Sequence, residues 1–118
     1  KYSGIITSVI IASICLFIHP WYGVVEPFWF SLYGIVGLSC MGVIIELMSR
    51  SYWRSIIGGG LGSLACLLIT WLAIGFHTGT WVPKEWAPFL ILGAIISGDI
   101  GVLMAQAITR IVWARHTD

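Results

Sequence analysis

The chain has 118 residues, of which 58% are hydrophobic and 9% charged, with a formal net charge of +1; an ordinary soluble domain carries about 25% charged residues. That length accommodates one domain, 1–118, and the composition leaves too few charges to cover a water-facing surface. The small net charge supplies no basic field for nucleic acid, and Cys15, Cys40 and Cys66 lie inside apolar runs without CxxC spacing, so they read as small packing residues, not as a disulfide framework or zinc site.

Four apolar runs succeed one another along the chain. Residues 2–25 contain no Asp, Glu, Lys or Arg and open with GIITSVIIASICLFI. A second charge-free run covers 27–45, a third begins at Ser55 and turns polar at His77, and a fourth runs from Ala87 to Ile108, broken by Asp99 and Gln106. About 20 residues cross a hydrocarbon core, and lipid offers no partners to free backbone groups, which forces such segments into helices. The expectation is an all-α integral membrane protein, a four-helix transmembrane bundle with spans at about residues 3–24, 27–48, 55–76 and 87–109. The connections WYGVVEP, RSYWR and HTGTWVPKEW are short, which makes sequential helices antiparallel neighbours. Because the first residue is Lys1 and not Met, a further N-terminal piece is expected ahead of it; residues 1–118 show no cleavable signal pattern.

Lys1, Arg50, Arg54, Arg110 and Arg115 fall on one side of this topology and Lys84 on the other. The positive-inside bias then puts both termini on the cytoplasmic side. Trp21, Tyr22, Trp29, Trp81 and Trp86 mark the outer interface, and Tyr52, Trp53 and Trp113 the inner one.

Within lipid, helices associate through small residues that let backbones approach. The third span carries Gly58, Gly62, Cys66 and Thr70 at intervals of four, and the fourth carries Gly93, Ser97, Gly101 and Ala105. Residues four apart share a helix face, so each span has a smooth stripe, facing the other stripe or another subunit. Asp99 is the residue most out of place, since a carboxylate at mid-span costs about 2.5–3.5 kcal/mol by insertion scales. At about 100° per residue it shares a face with Gln106 and Arg110, roughly opposite the small stripe. That polar seam is expected to meet water or protein, as a pathway or as an interhelical hydrogen bond to Ser39, Thr70 or a backbone carbonyl.

Glu46 precedes Arg50 by four residues, a favourable helical pair; the competing reading is a second polar site with Ser39, beside Gly42. His19 and His77 lie near the outer ends of their spans, where they read as interfacial residues; the rival reading holds a haem between them or a metal with Glu26 and Glu85. No cofactor is expected. No nucleophile elbow, P-loop, HExxH or paired-carboxylate motif occurs, which argues against an enzyme.

From about Glu26 to Arg115 the order of features resembles the small three-span holins of temperate phages. An apolar span ends in a short basic loop; a glycine-rich span, RSIIGGGLGSLACLLI, comes next; a polar turn leads to GAIISGDIGVLMAQAITRIVWAR, glycine-punctuated and ending polar then basic. The first span is additional to that pattern. The resemblance implies a protein that accumulates in the inner membrane, oligomerises and opens a lesion, with the stripes holding copies together and Asp99 on the wet side. The residues leave two other readings open: a small channel or transporter subunit using Asp99, and a non-catalytic anchor or scaffold for other membrane subunits.

Overall fold

A computed structural model describes residues 2–18 and 28–117, all in helices and the short links between them. The helices are α1 (Ser3–Ile18), α2 (Phe28–Met48), α3 (Tyr52–Thr78) and α4 (Ala87–His116). The last three are long and apolar enough to cross a membrane. α1 is a shorter apolar helix of 16 described residues. The rest of the expected first span, with His19, Trp21 and Tyr22, and the link that carries Glu26 and Pro27 lie outside the described residues.

Local signals set the ends. Ser51 caps α3, its hydroxyl accepting from the Arg54 amide at 3.4 Å. Gly79 closes the same helix in the left-handed conformation (φ 68°), its N–H donating to the Gly75 carbonyl at 3.0 Å, a geometry that glycine adopts without a Cβ penalty. Pro88 falls in the first turn of α4, where the missing N–H removes no helical bond.

What is buried is small. Gly58, Gly59, Gly60, Gly62, Ala73 and Gly75 of α3, Gly98 of α4 and Ala12 of α1 are enclosed, whereas Phe76 is 77% and Trp53 73% exposed. This inverts a water-soluble core and is what lipid favours: tails solvate large apolar side chains as well as other side chains do, so helices meet where backbones can come closest. The chain therefore reads as a membrane protein on composition and on packing.

Among the described residues the helices pack in a row. Each touches only its neighbours in sequence: α1 lies on α2, α2 on α3, and α3 on α4. Their facing residues run in opposite directions. Gly4 meets Glu46 while Ser8 meets Gly42, Gly37 meets Cys66 while Met41 meets Gly62, and Gly59 meets Val102 while Ser63 meets Gly98, so all three pairs are antiparallel. No contact joins α1 and α4 among the described residues. Closure in water hides apolar faces; in lipid that drive is missing, and a helix joins only where its surface fits.

The α2–α3 and α3–α4 contacts share one glycine run. A Cβ on Gly58 would stand 2.8 Å from Met48 Cβ, and one on Gly62 3.0 Å from Met41 Cγ, both on α2. A Cβ on Gly59 would meet Val102 Cγ2 at 2.5 Å and the Gly98 carbonyl at 2.6 Å, both on α4. Consecutive glycines point about 100° apart, so GGGLG thins α3 on two sides at once.

Candidate functional site

The α3 stripe of Gly58, Gly62 and Cys66 packs against α2, with Cys66 Sγ beside Gly37. Thr70, the next residue of that stripe, donates its hydroxyl to the Cys66 carbonyl at 2.9 Å. The α4 stripe does something different. Gly93, Ser97, Gly101 and Ala105 are all exposed, and a Cβ on Gly93 or Gly101 would meet nothing within 4 Å. The two stripes therefore do not face one another. The α4 residues that meet α3 are Ile95, Gly98, Asp99 and Val102, on a side of the helix turned away from the stripe.

Asp99 consequently sits in the α3–α4 crossing, half-buried against Gly60; a Cβ on Gly60 would lie 2.6 Å from its Oδ1. Glycine at that position lets the carboxylate reach the α3 backbone. Oδ1 is nevertheless buried with no hydrogen-bond partner among the described residues, and the same holds for Gln106 Oε1, two turns further along. A buried unpartnered acceptor costs about 1–3 kcal/mol, more when charged. Of the expected partners, neither Ser39 nor Thr70 reaches Asp99, and no bond to a backbone group is made by its Oδ1 among the described residues. Ser39 lines a groove between α2 and α3, α2 and α4 do not touch, and Thr70 is engaged within its own helix.

Arg110 is exposed, one turn beyond Gln106, its guanidinium 5.5 Å from the centre of the Tyr52 ring. The three residues of the predicted seam thus occupy one side of α4, with its inner members against α3 and its outer member over the start of that helix.

The expected Glu46–Arg50 pairing gives way to another arrangement. Glu46 Oε1 accepts from the Tyr2 amide at 2.9 Å and Oε2 from the Gly4 amide at 2.8 Å. A carboxylate from α2 thereby caps α1, where the first amides have no helical acceptor and the dipole favours negative charge. Gly42, one turn away, admits α1 closely: a Cβ there would lie 2.8 Å from Ser8 Cβ. Ser39 takes no part in this contact, so Glu46 and Ser39 do not form a second polar site. The cap was not legible in the sequence, because no rule of spacing links residues so far apart in the chain.

At the opposite end, His77 stacks on Trp29, with ring centroids 4.3 Å apart and planes at 10°, and its Nε2 lies 3.4 Å from the Tyr33 hydroxyl. This joins the start of α2 to the end of α3. His19, the other half of the haem or metal reading, lies outside the described residues, and no cluster of three metal-ligating side chains occurs among those described.

Comparison of the chain with protein-family models, with curated proteins and with solved structures finds no match.

Proposed function

We propose that the chain is a holin-like, self-assembling membrane protein of the inner membrane, four-spanning with both termini cytoplasmic, that permeabilises the bilayer as an oligomer. The observation that carries this reading is the bare α4 stripe. Gly93, Ser97, Gly101 and Ala105 make a smooth face with no occupant among the described residues, on a helix that touches α3 alone among the described helices. Such a helix offers an edge to further copies, and small faces are where helices associate in lipid.

Asp99 and Gln106 then take a role in opening. Closed, the α3–α4 seam holds two acceptors without partners; parted, it lets water hydrate them. Lateral association along the stripe and separation of that seam together give an assembly with a polar lining. The test is expression of the intact chain in a bacterium with a potential-sensitive dye. Loss of membrane potential and arrest of growth are expected, abolished by Gly101→Leu. Strong expression that leaves both unchanged removes this reading.

Asp99 supports a second reading, a small channel or ion-coupled subunit, because its Oδ1 stands unpartnered beside a glycine. In vesicles, a pH- or ion-selective flux altered by Asp99→Asn supports it; equal flux in both proteins counts against it.

A further inference from the structure

Between the α2–α3 turn and α4 lies a cleft of about 590 Å³ at the arginine-rich end of the helices, with Arg50 on one wall and Arg110 on the other. We infer that this cleft binds the headgroup of an anionic phospholipid bearing free hydroxyls, of the phosphatidylglycerol type.

Charge is the first reason. No acidic side chain lines the cleft among the described residues, and Glu46, the carboxylate closest to Arg50 in sequence, is turned to the amides of α1. Arg110 is held over the Tyr52 ring, itself part of the wall. Two guanidiniums facing one space suit a phosphate, whose oxygens accept from the planar N–H fork.

Hydroxyl chemistry is the second. Ser49, Ser55 and Thr109 also line the cleft. Their protons are committed to the carbonyls of Glu46, Ser51 and Ala105, so towards a ligand they present acceptor oxygens. A headgroup carrying hydroxyl donors beside its phosphate matches arginines and acceptors together. An ammonium-bearing headgroup finds no carboxylate there.

Position is the third. Ile45 lies one turn membrane-ward of Ser49, and Val102 two turns membrane-ward of Thr109, and both line the same cleft. An acyl glycerol moiety can therefore continue from the polar mouth along apolar wall. Basic pockets between helices at the cytoplasmic interface have this relation to anionic lipid. The inference does not require self-assembly, although Ala105 of the stripe and Gln106 of the seam also line the cleft.

The test is native mass spectrometry of the full chain, reconstituted with phosphatidylglycerol, phosphatidylserine or phosphatidylcholine and released into detergent. Retention of phosphatidylglycerol above both other lipids is expected, and it needs no variant. R50Q/R110Q should retain about thirtyfold less, the effect of two interfacial charges, whereas R54Q/R115Q, with the same change in net charge, should retain it fully. Equal retention of phosphatidylcholine, or equal loss in the two variants, overturns the site. Phosphatidylserine held as well as phosphatidylglycerol overturns the hydroxyl recognition. Displacement of the lipid by millimolar glycerol 3-phosphate overturns the assignment to lipid in favour of a soluble phosphate.

Discussion

The glycine faces of α3 and α4 have similar composition and opposite fates. On α3, Gly58 and Gly62 lie under Met48 and Met41 of α2, while Gly59 and Gly60 receive Gly98 and Asp99 of α4. On α4, Gly93 and Gly101 carry nothing within reach of a Cβ. Spacing alone does not separate them: both are small residues every fourth position. What separates them is that a run of consecutive glycines thins a helix on two sides, so α3 accepts two neighbours, while α4 uses Gly98 for its single contact and leaves its stripe open. A small-residue face thus marks a capacity for close approach, and the fold decides whether the chain itself fills it.

This distinction between buried and bare glycines fails if both respond alike to a large side chain. Gly98→Leu should have the largest effect, because a Cβ there would run into the Gly59 carbonyl of α3, a backbone group that cannot turn aside. A loss of about 3 kcal/mol, read as a lower unfolding midpoint in detergent, is expected. Glu46→Ala probes whether the row is built from separate pairwise contacts. It should release the amides of Tyr2 and Gly4 at the start of α1, seen as faster amide hydrogen exchange in α1 with α3 and α4 unchanged. Gly101→Leu should leave the unfolding midpoint of the monomer unaltered and weaken association between copies about tenfold. The smallest effect is expected at Gly79, where alanine in the left-handed conformation should cost about 1 kcal/mol, measured by the same unfolding assay.

Much of the architecture was legible in the residues. The apolar runs expected to span at 55–76 and 87–109 lie within α3 and α4, with α4 continuing two turns past the expected end, and Asp99, Gln106 and Arg110 all lie on α4. Less visible was which face meets which neighbour. Hydrophobic patterning assigns an inside to a helix in water; in lipid both sides of α4 are apolar, and only shape distinguishes the Gly98 side from the Gly101 side. The Glu46 cap was hidden for a different reason. Arg50 is a reasonable partner at helical spacing, but two unpaired amides on α1 attract a charged acceptor more than a flexible guanidinium near water does. The cleft between Arg50 and Arg110 likewise depends on α2 and α4 flanking the same side of α3, which no one-dimensional spacing encodes.

If the chain self-assembles, the bare α4 face is where its copies meet. Disulfide cross-linking in native membranes reads this contact, with Ser97→Cys introduced after Cys15, Cys40 and Cys66 are replaced by alanine. Oxidation should produce a covalent dimer through residue 97, and Phe76→Cys, on an exposed part of α3 away from the stripe, should give none. Monomer alone from Ser97→Cys, or equal cross-linking at both positions, would show that copies do not meet through this face.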